Sequence, residues 1–315
     1  MKTIPISAIV PTRNRPTILG RTLESLAAQE VFPAELIVID GSEDVLSRQL
    51  VEEYTAQSPP DSKVIWLAAT ELGAAAQRNQ GVAIATQPII CFFDDDILFE
   101  PGCLERLWTA LQRDTELGGV NATILNQQYG SPGRISRSVF RLLHGKDEQS
   151  YAGKCIGPAV NLLPEDRPDL PEVVPVEWLN LGCTLYRREA LPEPVFPGQF
   201  TGYSLMEDLT LSLVVGRHWK LANARTARIF HDSQPGSHKE NLVEVTQMQL
   251  VNRHFVMTEI LGQKRFVDYL RLFMWEAFQL VVCVAQRQSR PTIGAMLRGK
   301  WRAFRDLNHH STPAK

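Results

Sequence analysis

Short apolar runs and helically spaced apolar residues alternate through the first hundred positions. Ile6 to Val10 is a β-branched run stopped by Pro11, and Ile18, Leu19, Leu23, Leu26 and Ala27 recur at helical spacing between Ile18 and Gln29. Leu36 to Ile39 reads as a second buried strand closed by Asp40-Gly41-Ser42, and Val45 to Tyr54 as a second helix. Val64 to Leu67, Ala74 to Ala85 and Ile89 to Phe93 continue as strand, helix and strand. This β-α-β-α-β-α-β order predicts an α/β domain with a largely parallel sheet covered by helices. In such sheets ligands lie outside the carboxyl ends of the strands.

Beyond Pro101 the pattern predicts a helix to about Arg113, then a Gly-, Pro- and charge-rich stretch from Asn126 to Pro175. A connection of that length implies functional loops or a small insertion. Trp178 to Tyr186 reads as a strand, Arg187 to Leu191 as a turn into a short helix, Leu205 to Val215 as a helix, and Ala227 to Phe230 as a last strand before His231. From about Asn241 the chain reads as wholly helical, which divides it into a domain over 1–235 and an extension over 236–315. At 100° per residue, Asp268, Arg271, Gln279 and Gln286 share one stripe of the extension; Phe266, Leu270, Phe273, Ala277, Leu280, Val281 and Val284 share the opposite one. Lys264 to Arg305 carries nine Lys/Arg against two Asp/Glu, a local charge of +7. Such a segment suits contact with an anionic membrane surface, and equally suits packing on the first domain with its basic face in water.

Composition narrows the class. The 315 residues are 44% hydrophobic and 22% charged with a formal net charge of -2, which excludes disorder and the basic excess of a nucleic-acid-binding chain. Cysteines at 91, 103, 155, 183 and 283 form no metal-binding spacing and suit a reducing compartment. Pro5, Ser7, Arg13 and Arg15 break the pattern of a secretory signal, and the most apolar window, Leu272 to Ala285, contains Glu276 and falls short of the roughly 20 residues of a spanning helix. The expected location is cytoplasmic, with peripheral contact on the membrane's cytoplasmic face as the alternative.

The chemistry gathers at the ends of the predicted strands: Pro11-Thr12-Arg13-Asn14-Arg15, Asp40-Gly41-Ser42 and Asp94-Asp95-Asp96. Three adjacent aspartates after a Phe-Phe strand repel one another, and a divalent cation relieves that repulsion. If the strand continues, Asp94 and Asp96 point to one side and Asp95 to the other; the pair then suits Mg²⁺ or Mn²⁺ shared with substrate phosphates. Gly73-Ala-Ala-Ala-Gln-Arg-Asn-Gln-Gly81 offers small residues for close approach to a phosphate, with Arg78 supplying charge. Glu207-Asp208 opens a helix, where acids complement the dipole but also suit proton transfer. Trp178 suits either stacking on a ligand or burial in the core.

Taken in order, Ile9-Val-Pro-Thr-Arg-Asn-Arg15, Val38-Ile-Asp-Gly-Ser42, Gly73 through Arg78-Asn79-Gln80-Gly81, Phe92-Phe-Asp-Asp-Asp96, Gly182 with Arg187-Arg188-Glu189, and Glu207-Asp208 resemble family 2 of the glycosyltransferases over about residues 4 to 235. The resemblance implies a GT-A fold, a Rossmann-like mixed sheet flanked by helices, here with a C-terminal helical extension. It implies inverting transfer of a sugar from a UDP-, GDP- or dTDP-sugar to a glycan or lipid-linked hydroxyl. By the same resemblance Pro11, Thr12 and Arg13 line the base and ribose pocket, Asp40 accepts from the base, and Arg78, Asp94 and Asp95 lie by the donor. Asp94 and Asp96 match the DXD motif, with Asp96 a direct ligand of Mg²⁺ or Mn²⁺ and His231 where such folds recruit a late histidine. Asp208 matches the base, Glu207 orients the acceptor, and Trp178 and Gly182 lie toward it. The competing readings are a sugar nucleotidyltransferase, which would need a glycine-rich loop after the first strand, and a non-catalytic nucleotide-sugar-binding module.

Overall fold

The computed structural model describes residues 2–233 and 241–310. Internal contacts divide the chain into two compact units. The first is Met1–Tyr129, Ala152–Lys154 and Leu163–Gln234; the second is Gly130–Tyr151, Cys155–Leu162 and Pro235–Lys315, of which 241–310 are described in the last segment. A piece of the long polar stretch after Asn126 thus groups with the C-terminal helices, which the sequence division at residue 235 did not foresee.

The first unit is built on a mixed sheet. Strands β1 (Lys2–Thr12), β2 (Val31–Asp40), β3 (Lys63–Ala68) and β4 (Ile89–Phe93) are parallel, separated by helices α1 (Pro16–Ala27), α2 (Leu46–Thr55) and α3 (Ala74–Ile84). Beyond β4 come β5 (Ile97–Phe99), α4 (Cys103–Arg113) and β6 (Leu117–Ile124). The sheet order is β3-β2-β1-β4-β10-β6-β11-β5, with β10 (Cys183–Arg187) antiparallel between β4 and β6, and β11 (Lys220–His231) parallel to β6 and antiparallel to β5. β1 is apolar without alternation because both its faces are covered. Ile4, Ile6, Ala8 and Val10 pack with the apolar faces of α1 and α4, while Ile9 meets α3 at Gly81.

Several expected elements change. Residues 178–182 form a loop before β10 rather than the start of a strand, with the Asn180 side chain accepting from the Gly182 amide at 3.2 Å and the Asn180 carbonyl accepting from the Thr184 hydroxyl. β11 runs 12 residues where the pattern showed four. β6 lay hidden behind Gly118 and Gly119. Those glycines are needed because a Cβ on Gly119 would fall 2.7 Å from the Tyr186 ring and one on Gly118 2.4 Å from Trp219. Arg187 closes the end of α4, donating to the Leu111 and Leu117 carbonyls at 2.7 and 2.9 Å.

In the second unit, α5 (Arg134–His144) and the hairpin β7 (Cys155–Ile156) with β8 (Val160–Asn161) join three C-terminal helices. The remaining short strand, β9 (Val173–Pro175), pairs with β11, and α6 (Glu207–Val215) follows β10, both in the first unit. The C-terminal helices are α7 (Leu242–Phe255), α8 (Phe266–Ala285) and α9 (Ile293–His310). Buried Arg253 of α7 donates to the Ala159 carbonyl at 2.6 Å and pairs with Glu276 of α8 at 3.4 Å, and Glu276 also meets Lys300 of α9. No described helix is long and apolar enough to cross a membrane.

Candidate active site

Register brings the strand ends together. Thr12 lies beside Asp40, and Ile9 pairs with Phe92, so β1, β2 and β4 release their last residues along one edge of the sheet. Cys183 sits opposite Phe93 across the β4-β10 pair, which places Gly182 against the acidic turn; the Gly182 carbonyl accepts from the Asp94 amide at 3.4 Å. The sequence placed Gly182 toward the acceptor; here its backbone holds Asp94.

Asp94 to Asp96 do not continue β4. They turn the chain from β4 into β5, and that turn sends Asp94 and Asp96 toward His231. Asp94, Asp96 and His231 have ligand atoms within 4.8 Å of one another, the only such group among the described residues. Pairing of His231 with Ile97 fixes the histidine, and its Nε2 lies 3.0 Å from Asp96 Oδ1. Two carboxylates and an imidazole form a hard oxygen and nitrogen donor set that fits Mg²⁺ or Mn²⁺. Asp95 turns the other way. It accepts from the Thr12 hydroxyl at 2.7 Å and from Arg15 at 3.2 Å, while the Thr22 hydroxyl donates to its carbonyl at 2.7 Å. These contacts let Asp95 anchor the loop after β1. Burial, opposed chiefly by the Thr12 hydrogen bond, pushes its carboxyl up to about 6.

Arg78 on α3 links the two acidic motifs. Buried, it donates to Asp94 Oδ1 at 2.5 Å and to Glu207 Oε1 at 3.2 Å, with its guanidinium 6.0 Å from the Phe196 ring centre. Its Nε has no hydrogen-bond partner among the described residues. The small residues around it serve packing: a Cβ on Gly81 would fall 2.5 Å from Ile9 Cγ2, and one on Gly73, at φ +132°, 3.0 Å from the Gly202 nitrogen.

Glu207 and Asp208 open α6 from a strained loop in which Ser204 and Met206 adopt φ of 59° and 73°. Burial, reinforced by Asp208 and opposed by Arg78, raises the Glu207 carboxyl to about 8. Burial also lifts Asp208 to about 6, against the hydrogen bond its Oδ1 accepts from the Leu209 amide at 2.6 Å. Asp94 is raised by burial despite Arg78. The same cluster acts on Tyr203, whose hydroxyl is raised by burial and by the charges of Asp94 and Glu207.

At the far side of the edge, Asp40 is buried and already engaged. Oδ1 accepts from the Ser42 amide and hydroxyl at 2.9 and 2.5 Å, and Oδ2 from Trp66 Nε1 at 3.1 Å. Pro11 and Thr12 are buried and Arg13 is exposed. Trp178, offered as a stacking surface, is buried and presents no open face. Sequence reasoning missed Trp66, Tyr203 and the pair Asn126-Gln127. Gln127 Nε2 lies 2.8 Å from His231 Nδ1, and Asn126 brackets the His231 backbone with bonds of 2.8 and 3.0 Å. The available signal was their place at the end of β6, lost with that strand.

The mixed sheet and its acidic strand edge have the GT-A architecture. The family described as Glycosyl transferase family 2 matches residues 7–155. An uncharacterized glycosyltransferase of Nostoc sp. is 29% identical over 198 residues, covering 61% of this chain and 53% of the relative. A validoxylamine A glucosyltransferase of Streptomyces hygroscopicus subsp. limoneus is 31% identical over 110 residues, covering 33% of this chain and 23% of that one. The chain thus spans about half or less of the length of these relatives. The mannosyltransferase PcManGT of Pyrobaculum calidifontis, solved with GDP-Man and Mn²⁺, superposes with a TM-score of 0.58 at 16% identity, covering 96% of this chain and 87% of that one.

Proposed function

We propose that this chain transfers a sugar from a UDP-, GDP- or dTDP-sugar to a hydroxyl acceptor with inversion at the anomeric carbon, using Mg²⁺ or Mn²⁺. The observation that carries the reading is Arg78, which ties Asp94 of the acidic turn to Glu207 at the start of α6. It joins a cation- and diphosphate-binding motif to a pair of carboxylates suited to proton transfer.

Asp208 Oδ2 takes the acceptor hydroxyl proton as that oxygen bonds to the anomeric carbon, and the bond from that carbon to the diphosphate oxygen breaks with its electron pair on the leaving nucleotide. Glu207, held toward its protonated form by burial, donates to the acceptor and orients it. Asp94, Asp96 and His231 would hold the divalent cation, which when bound supplies neutralising charge to the departing diphosphate. Asp40, Trp66, Thr12 and Arg13 form the base end of the donor site, a reading supported by their shared strand edge. The apolar and basic helices α8 and α9 support a reaction at the cytoplasmic face of a membrane on a glycan or lipid-linked acceptor, as in polysaccharide, cell-envelope glycan or glycolipid synthesis.

Thermal unfolding in the presence of each nucleotide sugar, with and without Mn²⁺, tests the reading. One donor should raise the midpoint only when Mn²⁺ is present, and turnover should release a nucleoside diphosphate. Release of pyrophosphate from a nucleoside triphosphate, or no response to any nucleotide sugar, would overturn it.

A further inference from the structure

The second unit carries an amphipathic helix turned inside out. On α8, Phe266, Leu270, Phe273, Ala277, Val281 and Val284 fall within an arc of about 80° at 100° per residue. Phe266 and Phe273 are 84% and 71% exposed. The inward side is mixed and narrower: Leu272 and Cys283 are buried beside Asp268, which is 2% exposed and accepts the Arg265 amide at 3.0 Å, while Glu276 pairs with Arg253 and Lys300. A helix serving a water-soluble core has the reverse arrangement. α9 repeats it, with Leu297, Trp301 and Phe304 on one exposed stripe and Gly299 and Ala303 buried. A Cβ on Gly299 would fall 2.6 Å from the Val243 carbonyl of α7, which fixes which side of α9 faces in.

Charge decides what these stripes meet. Arg298, Arg302 and Arg305 follow one flank of the α9 stripe and are exposed. Lys264 and Arg265 precede α8, and Arg287 and Arg290 follow it, all exposed. A second copy would oppose like charges around an apolar centre, whereas an anionic bilayer accepts both the apolar side chains and the basic border. Because no described helix is long and apolar enough to span a bilayer, the fitting arrangement lies in the interface plane.

We propose that the exposed faces of α8 and α9 dock the chain on an anionic lipid bilayer, with Phe266, Phe273 and Trp301 entering the headgroup and acyl boundary. The inference rests on the membrane-face reading proposed above, concerns the second unit alone and is independent of the transfer chemistry.

Sedimentation of the full chain with phosphatidylcholine vesicles, with and without phosphatidylglycerol, tests it in the absence of donor and acceptor, so that failure leaves the transfer reading standing. The chain should bind the anionic vesicles in low salt and release in high salt. Phe273→Glu and Trp301→Glu should each weaken binding about tenfold or more without lowering the thermal midpoint, because both side chains are exposed. Absence of binding to anionic vesicles in low salt, or variants that bind like the parent, would overturn the proposal. So would a chain that fails to bind vesicles and forms a dimer that Phe273→Glu dissociates, which would give the face to a second copy.

Discussion

One isolated carboxylate and one carboxylate cluster sit on the same sheet, toward opposite ends of its parallel strands. Toward the amino-terminal ends, Glu35 of β2 accepts from the Ser7 hydroxyl at 2.5 Å, the Thr86 amide at 2.8 Å and the Thr86 hydroxyl at 2.5 Å. Burial raises its carboxyl, but the Ser7 and Thr86 bonds outweigh burial and leave the pKa lowered. At the carboxyl ends, Asp94, Asp95, Glu207 and Asp208 all carry raised pKa values. Fixed neutral donors suffice for one isolated charge. Several carboxylates gathered around Arg78 and Arg15 retain an excess of negative charge that a cation and a polar substrate would relieve. Glu35 is satisfied within the fold, whereas the carboxyl-end cluster keeps carboxylates that the fold alone leaves raised.

The largest effect should separate the two ends of the sheet by activity. Asp208→Asn is expected to lower turnover about 10²- to 10⁴-fold while donor affinity is retained, the range attributed to a positioned base. Single-turnover transfer and donor titration read both quantities. A variant that keeps the parent rate would remove Asp208 from the chemistry and make the two ends equivalent.

A smaller effect sharpens how the site is held. Gln127 sits 2.8 Å from His231 Nδ1, opposite the nitrogen facing Asp96 at 3.0 Å, so it restrains the angle of the ring. Gln127→Leu should weaken Mn²⁺ affinity about 10- to 100-fold, with donor affinity in excess Mn²⁺ unchanged. Equal Mn²⁺ titrations for parent and variant would show that β11 pairing alone fixes the histidine.

Glu35→Gln should do the opposite of Asp208→Asn. Loss of its charge-assisted acceptors should cost about 1–3 kcal/mol of stability, measured by denaturant unfolding, with transfer unaffected at saturating substrate. A fall in turnover without a fall in stability would mean that Glu35 communicates with the site.

The same contrast explains what was legible in the sequence. The four parallel strands and their helices could be read because buried β1 and β2 each carry an unbroken apolar run, Ala8 to Pro11 and Leu36 to Ile39, and the helices between them are periodic. β6 could not, because Gly118 and Gly119 look like a turn until Trp219 and Tyr186 are seen against them. The acidic triplet was legible as chemistry, yet Asp94 and Asp96 converge through a turn and not through strand alternation. Gly81 resembled a phosphate contact although its missing side chain seats α3 on Ile9. Gln127 carries no motif at all. The two stripes of α8 were visible, but a stripe pattern is the same whichever side faces inward, so only tertiary structure shows the apolar one exposed.

The smallest effect is a difference of sign in the pH dependence of stability, measured without metal or substrate. For Glu35 the folded pKa lies below the unfolded one. Its stabilisation is present above the unfolded value of 4.5 and is lost as pH falls through the folded pKa. For Glu207 the folded pKa lies above the unfolded value of 4.5, at about 8. The unfolded chain then releases its proton first, and stability falls as pH rises between those two values. Glu207→Gln keeps an acceptor for Arg78 and removes the charge that burial penalises. It should therefore raise stability near pH 8 by an amount on the order of 1 kcal/mol and change little near pH 4. Glu35→Gln should lower stability at neutral pH and converge with the parent in acid. If Glu207→Gln instead lost stability near pH 8 as Glu35→Gln does, the carboxyl-end cluster would be a folded-state anchor like its counterpart, and its raised carboxyls would no longer argue for a ligand.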